Sequence, residues 1–102
     1  MSPAISVVVP SYNPRPDQLR ALYDSLCRQT FTDFEVVIVD DASPRRDYDF
    51  IRDPRFRVVY QRENRGPAAT RNAGAGAAAA PYIFFTDTDC AVAPDTLANT
   101  VA

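Results

Sequence analysis

Two stretches constrain this chain more than any other feature: Ile5-Ser6-Val7-Val8-Val9 and Glu35-Val36-Val37-Ile38-Val39 are nearly unbroken runs of β-branched apolar residues. A strand with one face in water alternates apolar with polar residues, whereas a continuous run needs cover on both faces. Helices packed on either side of a parallel sheet supply that cover, so the runs point to an α/β chain. With 46% hydrophobic residues in 102, the chain holds enough apolar mass for one small domain with one core.

The remaining elements can be read from the punctuation. Pro10 ends the first run, and Pro14 and Pro16 mark a loop. Asp17 is placed to cap a helix that carries Leu19, Leu22, Tyr23 and Leu26 on one stripe. A polar stretch from Ala42 to Arg55 holds at most one helical turn, around Tyr48 to Ile51. Arg57-Val58-Val59-Tyr60 reads as a short third strand, and Pro67 opens an Ala-rich helix that runs to Ala80, where Pro81 stops it. Tyr82-Ile83-Phe84-Phe85-Thr86 is a fourth strand, and Pro94-Asp95 begins a last helix. The order β-α-β-x-β-α-β-α predicts an open, mainly parallel sheet with helices on both faces.

Composition removes several function classes. Eleven basic and thirteen acidic side chains leave a net charge of −2, which excludes nucleic-acid wrapping by bulk charge. The absence of His excludes His-ligated metals, His general bases and Ser-His-Asp triads from this segment. No stretch approaches the ~20 apolar residues of a membrane span, and a cytoplasmic location is expected. Cys27 and Cys90 lie far apart and are expected to be buried and reduced. Gly74-Ala75-Gly76 falls inside a helix and lacks the third glycine of a dinucleotide fingerprint, so it reads as close helix–sheet packing. With three glycines and no Lys there is no P-loop.

In open α/β sheets, ligands bind beyond the carboxyl ends of the strands. Three of the four strands here end in polar groups: Pro10-Ser11-Tyr12-Asn13, Asp40-Asp41 and Asp87-Thr88-Asp89. Two carboxylates one residue apart, as in Asp87-x-Asp89, suit a hard divalent cation that bridges phosphate oxygens, or simply a solvated turn. Asp40-Asp41 places adjacent, mutually repelling charges at a strand end. A carboxylate there can accept from a base N–H or a ribose hydroxyl, or form an Asx turn with Ser43 and Pro44. Arg71, one turn into the Pro67 helix, can neutralise pyrophosphate or form a surface ion pair. The Asn64-Arg65-Gly66-Pro67 loop and the positive end of its helix also favour phosphate.

The ordered set of these residues resembles the family-two glycosyltransferases. The match runs through Val8-Val9-Pro10-Ser11-Tyr12-Asn13, Gln29-Thr30-Phe31 with Phe34-Glu35, and Val39-Asp40-Asp41-Ala42-Ser43. It continues through Asn64-Arg65-Gly66-Pro67-Ala68, Arg71-Asn72-Ala73-Gly74 and Phe85-Thr86-Asp87-Thr88-Asp89 with Pro94 and Leu97. The resemblance implies a GT-A-type fold and inverting transfer of a sugar from a nucleotide-diphosphate donor, a UDP-sugar, to an acceptor hydroxyl. It implies that Asp41 reads the base, Pro10 and Tyr12 wall it, and Arg71 lies near base and phosphates. Asp87 would contact ribose or sugar, and Asp89 would ligate Mn²⁺ or Mg²⁺. Where many relatives carry a third acid, this chain has Cys90.

On this reading residues 1–102 are the N-terminal, nucleotide-binding portion of a glycosyltransferase whose general base lies in a later half. The segment alone would then be inactive and prone to self-association, with Phe84, Phe85 and Leu97 left uncovered. The alternative is a non-catalytic nucleotide-sugar-binding or scaffolding module. A receiver-like phospho-acceptor domain would require a Lys and an acidic pair after the first strand, and the chain has neither.

Overall fold

A computed structural model describes residues 2–101. The elements are β1 (Ile5–Ser11), α1 (Pro16–Cys27), β2 (Phe34–Asp40), β3 (Phe56–Tyr60), α2 (Pro67–Ala77), β4 (Tyr82–Phe85) and α3 (Thr96–Val101). The four strands form one sheet in the order β3-β2-β1-β4, and all three pairings are parallel. The register sets Ser11 opposite Asp40, and Asp40 opposite Tyr60. The carboxyl ends of the strands therefore meet at one edge of the sheet.

The continuous apolar runs are buried on both faces, as their lack of alternation requires. Val7 and Val9 of β1 and Val36 and Ile38 of β2 share a core with Leu19, Leu22 and Leu26 of α1 and with Leu97 of α3. Their alternates Val8, Val37 and Val39 are equally buried on the opposite face. There α2 lies close enough that a Cβ on Gly74 would collide with Val8 Cγ1 and stand 3.1 Å from Val39 Cγ2. The glycine is what permits this approach; Gly76, two residues on, has open space where a Cβ would sit.

Pro10 does not end β1, which runs on to Ser11. Successive residues of a strand point their backbone groups to alternate neighbours. The Val8 carbonyl accepts from Thr86 N–H at 3.1 Å on the β4 side, while the Ser11 carbonyl accepts from Asp41 N–H at 2.8 Å on the β2 side. Pro10 thus faces β4 with no N–H to donate. Pairing with β4 stops at Phe85, and pairing with β2 continues to Ser11. Pro10 ends one ladder and lets the chain after Thr86 turn away from the sheet.

Several boundaries differ from expectation. Asp17 makes no capping bond; it sits in the first turn of α1, its carboxylate 3.1 Å from Arg15, where the helix dipole favours an acid. Helix α2 stops at Ala77 rather than Ala80 because the amides of Ala79 and Ala80 donate to Glu35 Oε2 and Ser6 Oγ instead of helical carbonyls. Both cysteines are free and exposed, not buried. Leu97 is fully buried in the core it shares with the leucines of α1, not uncovered, and Phe84 packs half-buried against the same core. Phe85 is exposed as expected, and Tyr82 and Ile83 beside it are exposed too. No helix among the described residues is long and apolar enough to cross a membrane.

Candidate functional site

A cleft of about 470 Å³ opens beyond the carboxyl ends of β1, β2 and β4. Pro10, Tyr12, Asp41, Arg71 and Asp87, each singled out from sequence, all line it. Ser11, Asn64, Gly66, Pro67 and Thr70 complete the wall.

The two adjacent aspartates point to different destinations. Ala42 adopts the left-handed region with φ 58°, a conformation that costs an L-residue about 1–2 kcal/mol. Asp40 is fully buried beneath the cleft. Its Oδ2 accepts from Ser43 N–H, three residues on, at 2.9 Å, and its Oδ1 accepts from the Tyr48 hydroxyl at 2.5 Å. Tyr48 also meets Ser11 Oγ at 2.8 Å, and burial together with the Asp40 bond raises the phenol pKa well above its usual value. Ser43 Oγ in turn accepts from the amide of Asn13, at 2.7 Å, next to Tyr12. Asp40 therefore holds the first two strand-end loops together.

Asp41 faces the cleft. Its Oδ1 accepts from Gln61 Nε2 at 2.9 Å and Arg65 N–H at 2.7 Å, and its Oδ2 accepts from Gly66 N–H at 2.9 Å. The amides at the start of α2, read from sequence as favouring phosphate, thus receive a carboxylate of the chain itself. A carboxylate offers about four lone-pair sites, so three occupied sites leave one for a donor in the cleft. Gly66 adopts φ 88° to present its amide, in the region that favours glycine.

Arg71 and Asp87 approach each other across the cleft at 3.9 Å, with side-chain exposures of 45% and 54%. A pair so exposed contributes little to stability, which leaves both groups open to a ligand. Asp89 stands outside the cleft lining, on the same loop as Asp87. The ligating atoms of Asp87, Asp89 and Cys90 lie within 4.8 Å of one another, and all three residues are exposed. Cys90 Sγ donates to Asp89 Oδ1 at 3.4 Å, and this bond first of all raises the thiol pKa above its usual 9.0. The two carboxylates supply hard oxygen donors to this group. Such a set fits a hard cation that completes its shell with phosphate and water, and fits a soft thiophilic metal poorly.

Three contributors were not singled out from sequence. Gln61 comes directly after β3, so the strand-end argument that picked Asp41 covers it equally. Thr70 lies one turn from Gly66, whose carbonyl its hydroxyl contacts at 2.7 Å. Tyr48 sits in the irregular stretch before β3, where no periodicity marks it as buried.

The family model for glycosyl transferase family 2 matches residues 6–102. The chain is 40% identical over 94 residues to the uncharacterized glycosyltransferase EpsJ of Bacillus subtilis, covering 87% of this chain and 27% of that protein. Among solved structures it is similar to S. aureus TarS 1–349 in complex with UDP-GlcNAc, with a TM-score of 0.88 and 30% identity over 96% of this chain and 30% of that one. It is also similar to the mannosyltransferase PcManGT from Pyrobaculum calidifontis in complex with GDP-Man and Mn²⁺. There the TM-score is 0.81 and the identity 30%, over 99% of this chain and 32% of the other. The chain thus spans less than a third of the length of these relatives.

Proposed function

Because the chain belongs to glycosyl transferase family 2, we propose that its cleft binds a nucleotide-diphosphate sugar, a UDP-sugar, together with Mn²⁺ or Mg²⁺, and that residues 1–102 are the donor-binding portion of a glycosyltransferase. The observation that carries the reading is the convergence of Asp41, Tyr12, Arg71 and Asp87 on one cleft at the carboxyl edge of the sheet. The ligands named for TarS and PcManGT, UDP-GlcNAc and GDP-Man with Mn²⁺, support the donor class and the metal.

Each residue has a task that its surroundings allow. The remaining lone pair of Asp41 accepts from a ring N–H of the base, and Pro10 and the exposed ring of Tyr12 wall the base apolarly. Arg71 gives the diphosphate a fixed cation with fork geometry. Asp87 accepts from ribose or sugar hydroxyls, and Asp89 holds the cation. When bound, the cation stabilises the charge that develops on the departing diphosphate. The base that deprotonates the acceptor is assigned to no residue of this chain.

Titration calorimetry in Mn²⁺ with UDP, CDP and GDP tests the assignment of the base. Uracil carries a ring N–H at the position where cytosine has an acceptor, so Asp41 should favour UDP over CDP at least about tenfold, or ~1.4 kcal/mol. Equal affinity for UDP and CDP would contradict base reading by Asp41.

A further inference from the structure

The loop that carries Asp87 and Asp89 is tied to the sheet on one side only. Before it, Thr86 N–H donates to the Val8 carbonyl, and after that β4 has left the ladder. Within it, Cys90 N–H donates to the Asp87 carbonyl at 3.1 Å, and Thr86 Oγ1 donates to the Cys90 carbonyl at 3.3 Å. The loop is thus a short turn whose second end depends on the segment beyond Cys90.

That segment is stitched to the end of α1, far away in sequence. Gln29, only 5% exposed, donates from Nε2 to the Ala93 carbonyl at 2.7 Å and accepts at Oε1 from Leu97 N–H at 3.1 Å. Both ends of its amide are used on the stretch after the acidic loop. Beside it, Ser25 Oγ accepts from Val92 N–H at 2.9 Å, Thr30 N–H donates to the Pro94 carbonyl at 3.0 Å, and Thr30 Oγ1 donates to Asp95 at 2.9 Å. None of these residues lines the cleft.

We infer that Gln29 is a positioning residue for the Asp87–Asp89 loop: with Thr30 as a second leg, it clamps the return segment 92–97 to α1 and so sets where the two carboxylates stand relative to the diphosphate. The inference rests on the donor-site reading of the cleft. It divides the site into two parts held mainly by different elements. The base side is held by β1, β2 and the loop before α2, through Asp40, Asp41 and Tyr48. On the diphosphate side, the acidic loop is held through the end of α1, while Arg71 stands on α2. A buried amide bonded at both ends fixes backbone position, and loss of one partner leaves the others unsatisfied.

The two halves can be read separately by titrating the protein with uridine, which has the base and ribose but no phosphate, and with UDP, each in Mn²⁺ and in EDTA. Gln29→Leu should cost uridine no more than its one ribose contact with Asp87, about threefold, and lose at least tenfold of the UDP affinity gained with Mn²⁺. Thr30→Val removes an exposed leg without burying anything new, and should lose a smaller part of that metal-dependent gain, about threefold, with an unchanged melting temperature. A parallel fall for uridine and UDP in both variants, or an undiminished metal-dependent gain, would overturn the positioning role. If the unaltered protein itself gains nothing from Mn²⁺, the donor-site reading fails, and the clamp's role with it.

Discussion

Asp40 and Asp41 are chemically alike and adjacent, yet successive side chains at the end of a strand point to opposite sides, so one carboxylate is buried beneath the cleft and the other lines it. The partners of Asp40 tolerate an amide: Ser43 N–H still finds an oxygen, and the Tyr48 hydroxyl can accept as well as donate. Asp41 has only donors around it, so an amide nitrogen in place of either oxygen would face Gln61, Arg65 or Gly66. Asp41→Asn should therefore weaken UDP binding roughly 10–100-fold, as expected for a charge-assisted bond of about 1.5–3 kcal/mol, and lower the melting temperature. Asp40→Asn should keep UDP affinity within a few-fold. Calorimetry and thermal melts on the pair check this; equal losses would mean that the two carboxylates do not divide the work as described.

At the scale of elements, α2 approaches the sheet most tightly at a residue without a side chain, Gly74. Gly74→Ala puts a methyl into Val8, and overpacking of this kind costs about 1–3 kcal/mol. Gly76→Ala adds its methyl to open space in the same helix and should stabilise by about 0.5–1 kcal/mol through helix propensity. Urea melts of the two variants should move in opposite directions, and a shift of both the same way would contradict the packing described. The glycine pair also shows how far the sequence reaches. That Gly74-Ala75-Gly76 belongs to a helix packed on the sheet was legible from its place between Pro67 and Pro81; which glycine makes the contact depends on helix phase against Val8. Strands were legible because continuous β-branched runs have one physical solution, and cleft residues because parallel strands share one carboxyl edge. Tyr48 was not legible, since its burial comes from tertiary packing of an irregular stretch. Nor was the true end of α2, set by amides that turn to Glu35 and Ser6 from elsewhere in the chain.

For the molecule as a whole, β4 is the last strand of the sheet on its side, and Tyr82, Ile83 and Phe85 stand exposed on it. An unpaired apolar strand edge is a template for association, so we propose that the 102-residue chain self-associates through β4. Sedimentation should show oligomers that Phe85→Lys disperses, and a monomer at high concentration would contradict this. The carboxyl ends of the strands, where the cleft opens, are where the central claim is most directly tested: that Asp89 holds a divalent cation between the chain and a nucleoside diphosphate. The measurement is the affinity of UDP for the protein and for Asp89→Asn, each in Mn²⁺ and in EDTA. The account predicts tight binding only by the unaltered protein in Mn²⁺, with EDTA and Asp89→Asn each removing the same increment and their combination removing no more. Equal affinity of the unaltered protein with and without the metal would contradict it.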